Sequence, residues 1–274
     1  MTEAKFVHVF FYARANGYFP VDQLIDAVRL INSPYYTFVF DKYGIYSLSI
    51  DYNSANGYYW QATRNVFEFS SYKISRSLAI FVPRDAVEMW LTLLEKENIS
   101  RDVEIYLVLT RDINDEEVLV FSIWRPNEAA YSVASHSMLI CNKHENIHNL
   151  IGLPTLRRHA YARVESDALK EILAELRTKN AKAVQLIFHD GKLQIGTPDN
   201  DHYVLNAWRH EGKGEAHYPA DRFIKMAEVI AKYTSYVDFE FEKTGWLQIE
   251  AGYVPGAISF MLPPLRHHEP YSTR

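Results

Sequence analysis

The pattern with the most direct route to chemistry is His144-Glu-Asn-Ile-His148. On a helix, a four-residue step sets both imidazoles on one face, where they hold zinc while the intervening glutamate acts as general base. That chemistry belongs to a zinc metallopeptidase. The surroundings argue against it. The segment is asparagine-rich and soon meets Gly152 and Pro154, which break a carrier helix. The glycine and third histidine of one zincin class are absent at the required places, and Glu165 or Glu171 as third ligand is a guess. No phosphate-binding glycine loop, nucleophile elbow or paired-carboxylate site occurs elsewhere. The single cysteine, Cys141, excludes an internal disulfide framework and a Cys-rich zinc site, and it reads as a packing residue. The expectation is therefore no catalytic residue, no metal and no cofactor.

What must be positioned, then, is a set of surfaces. The chain has 274 residues, 48% hydrophobic and 23% charged, enough for two domains with buried cores. Its net charge of -5 offers no global signal for nucleic acid, although a local basic surface remains compatible with it. No signal peptide and no membrane-length apolar run are found, and one thiol suits a reducing compartment, so a soluble intracellular protein is expected. Nineteen tyrosines and 14% aromatic residues favour strands.

Period-two and short apolar runs predict strands at Tyr35–Phe40, Ile45–Ile50, Val103–Leu109, Glu117–Ile123, Val184–Phe188, Leu193–Ile195, Val237–Phe241 and Trp246–Glu250. Asp41-Lys-Tyr-Gly44, Asp190-Gly191 and Lys243-Thr-Gly245 read as turns. Three- and four-residue apolar spacing predicts helices at Val21–Asn32, Asp85–Glu97, Asp167–Thr178 and Asp221–Lys232. The order repeats. Each half runs from a helix into a strand, a glycine turn and a strand, then through Pro-x-Asp (Pro83-Arg-Asp85, Pro219-Ala-Asp221) into a second helix and another strand. The boundaries expected are 1–140 and 158–265 for two similar α+β domains, a polar connecting loop at 141–157, and a flexible tail at 266–274.

In this duplicated order the chain resembles the sliding clamps of the proliferating cell nuclear antigen family. Three stretches carry the resemblance: Phe38-Val-Phe-Asp-Lys-Tyr-Gly-Ile-Tyr-Ser-Leu-Ser-Ile-Asp51 for the first hairpin, Ile151-Gly-Leu-Pro154 for the end of the connecting loop, and Phe260-Met-Leu-Pro-Pro264 for the last strand. The resemblance implies a non-enzymatic homotrimer of two-domain subunits, with outer β-sheets and two inner helices per domain, closing a ring. Stretches 130–140 and 202–208 would pair between neighbouring copies. It implies duplex DNA as a non-specific partner, held by its phosphate backbone, and DNA polymerase, a clamp loader and other clamp-binding peptides as protein partners. Localisation would be nuclear in a eukaryote, or cytoplasm and nucleoid for an archaeal chain or a virus of a prokaryote. A checkpoint-type ring and a non-ring clamp-like subunit are the neighbouring alternatives.

The helices offer Arg29, Arg84, Lys96, Lys170, Arg177, Lys179, Arg222, Lys225 and Lys232 to DNA, with the second domain expected to be the more basic. The partner-peptide site carried over from the family comprises Ile50, Asp51, Ile151, Gly152, Leu153, Pro154, Trp246, Met261, Leu262, Pro263 and Pro264. Met261 departs from the aromatic pair usual in the family, which changes the pocket floor.

Overall fold

The computed structural model describes residues 8–51, 53–126, 128, 130–140, 157–198, 202–251 and 257–265. The His144/His148 motif, Cys141 and most of the connecting loop lie outside the described residues, as does the tail at 266–274. Two compact units form, 1–154 with 253–258 and 155–252 with 259–274, and the last strand is described with the second unit, to which its paired residues 259–262 belong.

The first unit runs β1 (His8–Arg14), α1 (Val21–Leu30), β2 (Tyr35–Asp41), β3 (Gly44–Ile50), β4 (Gly57–Thr63), β5 (Lys73–Ile74), β6 (Leu78–Pro83), α2 (Arg84–Lys96), β7 (Glu104–Arg111), β8 (Glu117–Trp124), β9 (Tyr131–Ser135) and β10 (Met138–Ile140). One sheet has the order β5-β1-β7-β8-β9; in the other, β10, β6, β2, β3 and β4 bond in that order. The second unit runs β11 (Arg158–Glu165), α3 (Ser166–Thr178), β12 (Ala183–His189), β13 (Lys192–Gly196), β14 (His202–Asn206), β15 (Arg209–Glu211), β16 (Gly214–Pro219), α4 (Ala220–Tyr233), β17 (Tyr236–Glu242), β18 (Leu247–Ala251) and β19 (Ala257–Leu262). Here the orders are β15-β11-β17-β18-β19 and β14-β13-β12-β16. Adding ten to each strand number of the first unit, β10 excepted, reproduces the second. The repeat read from the sequence is a repeat of hydrogen-bonded topology.

The local reasons are plain. α1 buries Leu24, Ala27 and Val28 on one face. It stops at Leu30, two residues before the expected Asn32, because Ile31 turns extended and the buried Tyr36 hydroxyl donates to the Ile31 carbonyl at 2.7 Å. That bond satisfies an acceptor left open by the helix end. α2 and α4 each start just after a proline, with Asp85 and Asp221 in the first turn, as the Pro-x-Asp pattern predicted. Gly245 shows why its turn needs glycine: its φ is +93°, and an added Cβ would sit 2.9 Å from Cγ of Pro264.

In the first unit Trp90 of α2 lies between Phe38 of β2 and Phe121 of β8, with ring centroids 6.0 and 4.9 Å away. In the second, Phe223 of α4 stacks on Phe239 of β17, and Phe188 of β12 meets Phe241 at 5.3 Å. No helix among the described residues is long and apolar enough to cross a membrane.

One polar cluster sits on the β11-β17-β18 sheet, on the alternate positions to core residues Val237, Phe239 and Phe241. Arg163 makes a two-pronged bond to Asp238, 2.6 Å on each arm, and the Tyr161 hydroxyl donates to the same carboxylate at 2.8 Å. Asp238 is buried, so removing it takes the two-pronged carboxylate from a guanidinium that is only 15% exposed. Asp238→Ala is expected to lower the unfolding free energy by about 3 kcal/mol, read from the denaturant midpoint. Beside it, burial and then the negative charges of Glu240 and Asp238 push Glu250 up from 4.5 to about 7. The folded state then binds the proton more tightly than the unfolded chain. Stability from this group is greatest below pH 4.5 and declines as pH rises toward about 7. Glu250→Gln is expected to flatten that slope and raise the melting temperature above neutral pH; an unchanged pH profile would refute the assignment.

Candidate functional site

The nine cations expected to face DNA all lie on the four helices or, for Lys179, on the C-cap of α3. α1 and α2 pack on each other, as do α3 and α4. Their charge balance differs. α1 and α2 hold five carboxylates (Asp22, Asp26, Asp85, Glu88, Glu95) against Arg29, Arg84 and Lys96. α3 and α4, with Lys179, hold six cations against five carboxylates (Asp167, Glu171, Glu175, Asp221, Glu228).

Several of these cations are already engaged. Arg29 forks onto Glu95 across the α1–α2 pair, with Nη1 to Oε1 at 2.9 Å and Nη2 to Oε2 at 2.6 Å. The Glu95 hydrogen bond, with further contributions from Asp26 and Glu88, raises the Arg29 guanidinium above its ordinary value. Arg84 donates to Glu88 one turn on at 2.6 Å. Arg177 donates to Glu228 across the α3–α4 pair at 2.5 Å, and Lys170 to Asp167 at 2.9 Å. Lys179 lies over the Tyr203 ring and Lys232 over the Tyr233 ring. Pairs as exposed as these stabilise the fold by about 0.2–1 kcal/mol, so a competing phosphate can reclaim the cation.

The second unit gathers its cations around concavities. Lys170 and Lys232 line a cavity of about 530 Å³ together with Glu165 and Asp167. Arg177 and Lys225 line a smaller one of about 170 Å³ between α3 and α4. In the first unit the exposed face of α2 is instead partly apolar: Met89 is 66% exposed and Leu93, four residues on, 42%. The sequence held a sign of this, since both fall off the stripe formed by Val87, Trp90, Leu91 and Leu94.

The partner-peptide residues fall into three groups. In the first unit Ile50 ends β3, and Asp51 is committed to its own turn: its carboxylate accepts the Asn53 amide at 3.0 Å and the Ser54 hydroxyl. Ile151, Gly152, Leu153 and Pro154 lie outside the described residues. In the second unit Trp246, Pro263 and Pro264 are partly exposed, and Pro264 packs over Gly245. Met261 is nearly buried and Leu262 wholly so, paired with Leu247 in the sheet. Leu262 thus supports its neighbours from the core and offers no surface of its own.

The two stretches expected to pair between copies are terminal strands of their sheets. β9 ends one order and β14 ends another. In β14 Val204 is 52% exposed, and Trp208, just after it, 66%. Trp208 was not singled out in the sequence. Its indole N–H donates to Glu165 at 3.2 Å, its ring meets Tyr236 edge-on, and it lines a cavity of about 580 Å³ with Val204, Leu205 and Ala168.

No protein-family model matches the sequence, and no curated protein matches it. Solved structures do. The proliferating cellular nuclear antigen of Entamoeba histolytica superposes with a TM-score of 0.67 at 11% identity, over 94% of this chain and all of that one. A chain of the PCNA2-PCNA3 complex from Sulfolobus tokodaii gives 0.62 at 14% identity, over 92% of this chain and 98% of the other. At these identities the likeness is one of fold, and it spans both units: the chain has the PCNA-like sliding-clamp fold.

Proposed function

We propose that the chain is a non-enzymatic subunit of a DNA sliding clamp and polymerase processivity factor, a homotrimeric ring that encircles duplex DNA and recruits replication and repair proteins. The observation that carries this reading is the internal duplication together with its terminal strands. β9 closes one sheet of the first unit, and β14 closes the non-equivalent sheet of the second. Pairing β9 of one copy with β14 of the next joins unlike surfaces, and such heterologous contacts close rings when the rotation allows. Pairing also covers backbone donors and acceptors that would otherwise invite aggregation. Val204 in β14, Trp208 just after it and the partly exposed Met138 after β9 would supply the apolar flanks that a strand-to-strand interface uses.

Solution mass tests the ring: a stable species near three times 31.9 kDa is expected, and a monomer at all concentrations overturns the homotrimer. Val204→Lys with Trp208→Ala is expected to shift that species to a folded monomer with unchanged far-UV circular dichroism, since both side chains are largely exposed. The PCNA2-PCNA3 relative favours a mixed ring as the second reading; it would appear as a chain that assembles only when a second clamp chain is added.

For DNA, the α3–α4 surface is the better grip, through phosphate contacts without base readout. Arg222→Glu with Lys225→Glu is expected to weaken duplex retention by about tenfold and to reduce its salt dependence. For partners, the site at Ile50, Asp51, Ile151, Gly152, Leu153, Pro154, Trp246, Met261, Pro263 and Pro264 would take an extended peptide with apolar anchors. Leu153→Ala with Pro264→Ala is expected to reduce stimulation of a polymerase on a primed circular template while leaving the trimer intact. Loss of the trimer would show that these residues serve assembly instead.

A further inference from the structure

We propose that Glu95 and Glu228 are intramolecular competitors for DNA phosphate, holding Arg29 and Arg177 in a neutralised state so that the ring rides loosely on the duplex. The inference rests on the DNA-encircling reading and adds a control on its grip. In both units the next-to-last residue of the first helix is an arginine: Arg29 of α1 and Arg177 of α3. In both, the second helix sends a carboxylate across to it. Glu95 engages both arms of Arg29, and Glu228 meets Arg177 at 2.5 Å.

These are not packing contacts. The side chains are 49% and 48% exposed in the first pair, 60% and 33% in the second. The carboxylates also come from different places, near the end of α2 and in the body of α4. What the two units share is the outcome, an arginine fork closed by a glutamate on the helical surface. A guanidinium fork matches a phosphate in the same two-pronged geometry that it uses for a carboxylate, so the two ligands exclude one another. Arg177 borders the same small cavity as Lys225, so Glu228 places its charge beside the cations on which DNA retention would depend. Arg29 has Asp26 and Glu88 within electrostatic reach as well as Glu95, on a helix pair whose five carboxylates outnumber its three cations.

The test uses the full chain and a fluorescein-labelled duplex oligonucleotide, with binding followed by anisotropy across a potassium chloride series. Glu95→Gln with Glu228→Gln keeps side-chain size and removes the competing charge. It is expected to bind on the order of tenfold tighter at low salt, with a log-log salt slope steeper by about two as two further phosphates are neutralised. Adding Arg29→Ala and Arg177→Ala should return the slope to the parental value. Glu171→Gln makes the same charge change on α3 at a residue that pairs with no arginine among the described residues. A gain and slope change from Glu171→Gln equal to those from Glu228→Gln alone would reduce the effect to net charge and overturn the proposal. Unchanged affinity in the double glutamine variant, with binding still lost on Lys225→Glu, would overturn the competition while leaving the clamp reading in place. Absence of salt-dependent binding in every variant would remove both.

Discussion

The aromatic wedge between helix and sheets is the interaction on which the first unit's arrangement depends. Trp90, 1% exposed, touches Phe38 from one sheet and Phe121 from the other, and Phe40 closes on Phe121 at 5.0 Å. Large rings at such separations contribute both burial and edge-to-face attraction. One residue of α2 thereby sets the distance of that helix from both sheets at once. In the second unit the task is divided, with Phe223 joining α4 to β17 and Phe188 joining the two sheets through Phe241. Once these contacts are made, the opposite faces of the helices have no choice but to be surface, and their residues become available to a ligand.

That surface is chemically mixed. The sliding ring proposed for this chain would need attraction to phosphate without a deep well at any one register, and a surface on which arginines are half-satisfied by their own glutamates would meet that need. Exposed ion pairs are weak enough to exchange partners and strong enough to lower the net field. The apolar Met89 and Leu93 on α2 extend the same tendency in the first unit. The modest basicity of the helices reflects both the number of charges, with five carboxylates against three cations on α1 and α2, and the way they are paired.

Strand edges impose the second constraint. Short edges can be left to solvent: β5 has two residues and β15 has three, with Arg209 and Glu211 among them. β16 is met by the backbone of Leu265, whose amide donates to the His217 carbonyl at 2.7 Å. β9 and β14 are each five residues long, and apolar side chains stand beside them. A terminal strand of that kind is a binding surface by default, and two non-equivalent ones on a chain suit assembly of copies in sequence around a ring.

The sequence by itself determined the four helices, eight of the strands and their duplicated order, while β1, β4, β6, β11 and β16, of six to eight residues each, were not read from it. It could do so because apolar spacing, glycine turns and Pro-x-Asp starts are local signals. Helix ends moved by a residue or two, as at the end of α1, where the Tyr36 hydroxyl, five residues on, donates to the Ile31 carbonyl. The short strands β5, β10 and β15 carry too few residues to show a period, and they exist because a neighbouring strand offers them hydrogen bonds. The candidate site was legible as a list of residues, since charges and exposed-loop apolar groups can be read one at a time. Its character was decided only by tertiary structure. Arg29 and Glu95 are 66 residues apart, and Arg177 and Glu228 are 51 apart, so nothing local could report that each arginine is already held. Leu262 and Trp208 show the same limit from opposite sides. Both are apolar residues near a chain turn, and only the packing around them makes one a core residue and the other an exposed anchor.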